Sequence, residues 1–157
     1  MHTLPSHATP AVGPPLAAPD AAEAAGRAAG TGPEIRFPQG LPGFPLATRF
    51  RLVPLTPASS VLQLVSGDDP ELRFLVLAHA EGRLPLAAQD LADARTALGM
   101  ADASTVVLLM VTVRAPTPTA SCGLFVNLRA PIFLDTAQAM AVQHVLPSTA
   151  YPVRHPL

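Results

Sequence analysis

The chain has 157 residues, 49% of them hydrophobic but only 4% aromatic, with a formal net charge of −1. That length suits one domain with at most one appendage, and the near-neutral charge excludes the broad basic footprint of a nucleic-acid binder. A single cysteine, Cys122, excludes an intrachain disulfide and fits a reducing compartment.

Residues 1–32 are almost entirely Ala, Pro, Gly, Thr and Ser. Such a segment buries too little apolar area to offset the entropy of ordering, and it reads as a disordered tail. A short helix over Ala21–Ala29, capped by Asp20, is marginal at that length and is weakened by Gly26. Repeated prolines and the lack of a basic start rule against a secretory signal. Val106–Val111, the longest apolar run, is far short of the roughly 20 residues of a membrane span.

The folded domain is expected over residues 34–157. Glu34–Phe37 alternates polar and apolar, the period of a half-buried strand. Pro38–Gly43 breaks the ladder and makes a tight turn or bulge. Further strands are expected at Phe50–Leu55, with Pro54 marking an edge or strand end, at Val61–Val65, and at Arg73–Leu77, which is continuous enough to be buried on both faces. Ser66-Gly-Asp-Asp-Pro70 is a turn signal. Leu91, Ala94, Arg95 and Leu98 fall at helical spacing, and Gly99 stands where a C-terminal cap belongs, so a short helix is expected over 88–99. Ser104–Val113 is a central strand, Ala115–Thr119 a loop, and Ser121–Leu128, Ile132–Thr136 and Met140–Leu146 complete the set. The expected fold is all-β, a mainly antiparallel barrel-like or sandwich domain with one short α-helix near residues 88–99.

Catalytic and metal chemistry finds little support in the residues. His79, His144 and His155 are far apart, and none has the spacing of a metal pair. Ser121 or Cys122 with His144 as base and Asp135 as its orienter would make a Ser–Asp–His order, but no nucleophile elbow presents it. Cys122, set among apolar residues, reads as a small buried hydrophobe. No glycine-rich phosphate loop is present, and no cofactor is implied. Asp68, Asp69 and Glu71 cluster at one turn; such turns are commonly just solvated, and the functional alternative is an acidic patch that docks a basic partner.

Two segments shape backbone rather than supply chemistry. In Gly40-Leu41-Pro42-Gly43-Phe44, Gly43 suits a positive-φ position after a proline-led turn, with Leu41 and Phe44 as apolar anchors. In Asn127-Leu128-Arg129-Ala130-Pro131, Asn127 can bond to neighbouring backbone and Pro131 enforces an extended residue before it.

Taken in order, Ile35-x-Phe-x-x-Gly-Leu-Pro-Gly-Phe44, the Val-rich strand at 106–113, Asn127-Leu-x-Ala-Pro-Ile132, Gln143-x-Val-Leu146 and Tyr151-x-x-Arg154 resemble the FliW family of bacterial flagellar assembly factors. The resemblance covers roughly residues 34–157. It implies a compact β-barrel-like fold, a cytoplasmic location and no enzymatic activity. It implies two partners, flagellin before its export and the RNA-binding translational regulator CsrA, while the charge and the short apolar runs argue against direct nucleic-acid or membrane contact. Pro45, where the family often has an acidic residue, and Asp135, where asparagine is usual, depart from the pattern. Because CsrA is basic, an acidic face with Asp68, Asp69, Glu71 or Asp135 is the expected contact, with charge steering the encounter. An exposed edge or apolar groove is the expected seat for a flagellin segment.

Overall fold

The computed structural model describes residues 32–57 and 59–157, so the expected tail lies, apart from Gly32, outside the described residues. The strands are β1 (Glu34–Arg36), β2 (Arg49–Pro54), β3 (Val61–Ser66), β4 (Arg73–Ala78), β5 (Thr105–Arg114), β6 (Gly123–Val126), β7 (Ile132–Asp135), β8 (Met140–Gln143) and β9 (His155–Pro156); α1 (Ala88–Leu98) separates β4 from β5. The fold is mainly β with one short α-helix among the described residues, as the residue pattern led us to expect.

The strands form one sheet in the order β4-β3-β2-β1-β8-β7-β5-β6-β9, and β4 also pairs with β5. That extra pairing closes seven strands into a barrel and leaves β6 and β9 as an extension beyond it. Every pairing is antiparallel except β1 with β8, which is parallel and rests on one register pair, Arg36 with Met140. β4 and β5, on either side of the helix, run antiparallel. The helix therefore spans a long hairpin connection rather than a parallel crossover.

Alternation along the strands fills two cores. Ile35, Phe37, Phe50, Leu64, Val76, Leu108, Ile132 and Leu134 fill one, inside the barrel. Leu77, Val107, Leu109, Val111, Val126 and Phe133 point the other way and are covered by Leu86, Leu91 and Ala94 around α1 and by Leu146 from the C-terminal segment. β4, β5 and β7 thus contribute to both cores, which is why their sequences read as continuous apolar runs.

Gly99 ends α1 in the left-handed conformation at φ 67. The Gly99 amide donates to the Thr96 carbonyl at 3.1 Å and the Met100 amide to the Arg95 carbonyl at 3.0 Å, the closure that glycine permits after a helix. The other end has no side-chain cap of its own, because Ala87 occupies the cap position.

Two strands are shorter than expected and one was not expected. The strand expected at Ser121–Leu128 is Gly123–Val126, because a bridge between Thr117 and Ala120 forms a separate turn and pairing with β5 resumes only at Gly123, opposite Arg114. Cys122 is consequently exposed and is not the buried hydrophobe expected of it. The strand expected to reach Leu146 stops at Gln143, after which the His144 and Leu146 amides donate to the Pro131 and Arg129 carbonyls at 2.9 Å each. β9 carried no signal in the sequence: two residues, one of them proline, show no period.

Candidate partner-binding site

The Phe37–Phe44 segment is a tightly bonded turn. The Phe44 amide donates to the Leu41 carbonyl at 2.7 Å and the Gly40 amide to the Phe37 carbonyl at 2.9 Å. Both glycines sit at positive φ, Gly40 at 66° and Gly43 at 86°. A Cβ at Gly40 would lie 2.6 Å from the Phe44 carbonyl oxygen, whereas one at Gly43 would meet nothing within 4 Å. Gly40 therefore serves close backbone approach as well as dihedral freedom. Leu41 is the buried anchor, 2% exposed, while Phe44 is 41% exposed and Leu46 91%. Phe44 is held edge-on by Phe74 with ring centroids 5.2 Å apart, and Phe74 continues through Phe50 to Phe37 in the barrel core. One member of the expected anchor pair thus faces solvent.

The Ser66–Leu72 turn is shaped by its own side chains. The Ser66 hydroxyl accepts the Asp68 and Asp69 amides at 3.3 and 3.2 Å, and the Asp69 carboxylate accepts the Glu71 amide at 3.1 Å. Asp68 pairs with Arg49, raising the arginine's pKa chiefly through the hydrogen bond. Glu71 lies 3.7 Å from Arg73. These exposed pairs contribute little stability. Asp69 has no ion-pair partner among the described residues.

Folding brings the two turns together. Phe44, Pro45, Leu46 and Leu72, with Asp68 and Asp69 beside them, line an open groove of about 380 Å³. It has an apolar floor and an acidic rim, the pairing that suits an apolar segment with basic flanks. Leu46 and Leu72 line this groove, Phe74 backs Phe44 and Arg49 pairs with Asp68, and sequence reading missed all four. The one available signal was Leu46, a large apolar residue directly after the Pro45 departure, in a stretch with no strand period to bury it.

The second segment is a bulge in one interrupted strand. β6 and β7 run in the same direction along one edge of β5: Val126 pairs with Val111 and Ile132 with Leu108. Between those pairs Asn127–Pro131 loops out. The Asn127 carboxamide oxygen accepts the Arg129 and Ala130 amides at 3.0 and 3.1 Å, and the Gln143 side chain donates to the Ala130 carbonyl at 2.9 Å. Leu128 and Pro131 are buried. Gln143 also borders a second cleft with Gly40, Leu41, Pro42 and Gly43, so the two segments are neighbours in space. Asn127, Leu128, Ala130, Pro131 and Gln143 hold the bulge together rather than form the groove.

Asp135 does not join the acidic face. It is 5% exposed, and its carboxylate accepts the Ala137 and Gln138 amides at 2.9 and 3.2 Å and the Gln138 side chain at 3.1 Å. A buried carboxylate must be bonded in this way, and here it shapes the β7–β8 turn, in which Ala139 adopts φ 52. Asp135 is therefore bonded within its own turn, while the His144 ring packs edge-on to Phe133. Ser121 and Cys122 lie in the exposed loop before β6. Tyr151 and Arg154 also lie away from the groove: the Tyr151 hydroxyl meets the start of α1, and Arg154 lies over the Phe125 ring. Burial holds the His79 pKa below the usual histidine value, with Glu81 opposing. Among the described residues no three His, Cys, Asp or Glu side chains are grouped to hold a metal ion, and no helix is long and apolar enough to cross a membrane.

Comparison with known proteins agrees with this architecture. A sequence model described as FliW protein matches residues 24–157, beginning ahead of the expected domain start at Glu34. The flagellar assembly factor FliW of Geobacter sulfurreducens is 34% identical over 78% of this chain and 74% of that protein. The protein of the same name from Geotalea uraniireducens is 33% identical over 80% and 74%, and that from Carboxydothermus hydrogenoformans 29% over 77% and 76%. A crystal structure of the flagellar assembly factor FliW shares the fold with a TM-score of 0.60 at 23% identity, covering 78% of this chain and 84% of that one. With its motifs in order and its domain matched nearly end to end, the chain belongs to the FliW family of flagellar assembly factors.

Proposed function

We propose that this flagellar assembly factor acts in the cytoplasm as a non-enzymatic binding protein that holds flagellin before export and, when released from it, antagonises the translational regulator CsrA. Flagellin synthesis is thereby coupled to secretion through two binding equilibria that share one protein. One observation supports the reading: the glycine-rich turn and the acidic turn, distant in sequence, meet as an apolar groove with a carboxylate rim. A basic partner is steered by the rim and held by the floor.

The test is co-purification with flagellin and with CsrA from the same organism, each alone and then together. The reading expects a complex with each. Binding of CsrA should weaken as salt rises from low to physiological strength, because exposed charges are screened over about 8 Å there. Deleting residues 1–32 should leave flagellin binding intact; its loss would move the interaction to the tail and make the β domain a scaffold. Failure to bind either protein would sink the assignment.

A further inference from the structure

The strands that extend beyond the barrel carry a surface whose chemistry is opposite to that of the groove. In register, Thr112 stands opposite Phe125, Arg114 opposite Gly123, and Phe125 opposite Pro156. Paired residues and those two apart share a face of a sheet. This face of β5 continues the barrel-interior row of Leu108 and Met110 past the end of the barrel. The Arg114 guanidinium carbon lies 5.4 Å from the Phe125 ring centroid, and that of Arg154 lies 5.0 Å from it. Gly123 leaves room for the ring, since a Cβ there would approach it to 3.0 Å.

The ring attracts each cation, but the two cations repel each other. Neither Arg114 nor Arg154 takes part in the ion pairs of Arg49 with Asp68, Arg73 with Glu71 and Arg95 with Asp102. Arg114 donates one hydrogen bond, at 3.4 Å, to the Ser121 carbonyl. Charge is also segregated along the chain. Residues 1–102 hold seven arginines against ten carboxylates, a net of −3; residues 103–157 hold three arginines against Asp135 alone, a net of +2. With Asp135 buried in its turn, the region that builds β5, β6 and β9 has no exposed carboxylate side chain to neutralise this pair.

We propose that this face of β5, β6 and β9 is a docking site for an acidic protein segment, whose carboxylates pair with Arg114 and Arg154 while an apolar side chain rests on Phe125. Guanidinium groups suit carboxylates because their planar forks can donate two parallel hydrogen bonds. Two cations on a protein of net charge −1 are too few for a nucleic-acid backbone, which needs a row of them. The site is separate from the acidic groove and stands or falls independently of the flagellar partners.

The experiment uses the full chain and a fluorescent peptide alternating glutamate and leucine, followed by anisotropy at low and physiological salt. A matched peptide with glutamine for glutamate and a polyuridylate strand are titrated alongside. Binding of the glutamate peptide, at least tenfold weaker for the glutamine peptide and for the R114Q/R154Q double variant, is the expected result. The charge-retaining R114K/R154K variant should keep part of the affinity, and D69N should keep all of it. Unchanged thermal melts exclude misfolding of these exposed variants. No binding of the glutamate peptide, equal binding by R114Q/R154Q, or tighter binding of polyuridylate would each overturn the proposal.

Discussion

The Tyr151 hydroxyl donates a hydrogen bond to the Asp90 carboxylate and accepts one from the Ala87 amide at 3.1 Å. The C-terminal segment thus caps α1, whose own cap position is alanine and supplies no side-chain bond. The bond to Asp90 is the main cause of a raised Tyr151 pKa. Because the folded value lies above the unfolded one near 10, this contribution is complete below about pH 10 and is lost as pH rises through the folded value. Tyr151→Phe should lower stability by about 1 kcal/mol at neutral pH and flatten the alkaline limb of a denaturant-midpoint profile. A steep limb in the variant would contradict the assignment.

The two glycines of the first segment should respond unequally. Gly40→Ala places a Cβ 2.6 Å from the Phe44 carbonyl oxygen at a positive φ, so main chain must move, and a loss of about 3 kcal/mol or more is expected. Gly43→Ala meets open space and should lose only the dihedral cost, about 1–2 kcal/mol. Urea midpoints of the two variants decide between them.

Leu46 should separate binding from folding. At 91% exposure, Leu46→Ser should change stability by no more than about 0.5 kcal/mol. If the groove is a docking floor, the same change should weaken partner binding by roughly tenfold. Calorimetric titration with flagellin and CsrA measures it, and unaltered affinity for both would remove the groove from the interface.

Asp135 should behave in the opposite way. Asp135→Ala leaves the Ala137 and Gln138 amides without their acceptor, so a loss of about 2–3 kcal/mol is expected. Asp135→Asn, which keeps one acceptor oxygen, should recover much of it. Neither should change partner affinity once the protein is folded, as a comparison of binding isotherms below each melting temperature will test.

His79 supplies an acid-side dependence. Burial lowers its folded pKa below the unfolded value near 6.5, so the unfolded chain binds the proton more readily. Stability from this residue is complete above about pH 6.5 and falls as pH drops toward the folded value. His79→Gln should show a smaller drop in melting temperature between pH 7 and pH 5 than the parent.

The strands that fill both cores were readable because continuous apolar runs such as Phe74–Leu77 and Val106–Val111 have no other stable use in a small domain. The helix was readable from its period and from Gly99. The groove was not, because it joins residues more than twenty positions apart, and only the β2–β3–β4 meander sets Leu46 beside Leu72. Asp135 was misread for a related reason: one letter does not distinguish a carboxylate facing solvent from one bonded within its own turn. The face of β5, β6 and β9 was hidden as well, since Phe125 and Arg154 meet only through β9, which has no periodic signature.

The barrel seam has a consequence for how the protein is made. The parallel pairing of β1 with β8 joins Arg36 to Met140, and the Arg36 amide donates to the Ala139 carbonyl at 2.9 Å. During synthesis β1 emerges well before β8, its second neighbour, because β2–β7 lie between them in the chain. Until then the β2–β3–β4 meander can assemble, but the ring stays open with one edge of β1 unpaired. A nascent chain stalled before residue 139 would therefore present the groove turns on an unclosed sheet, and protease protection of β1 should appear only once β8 leaves the ribosome.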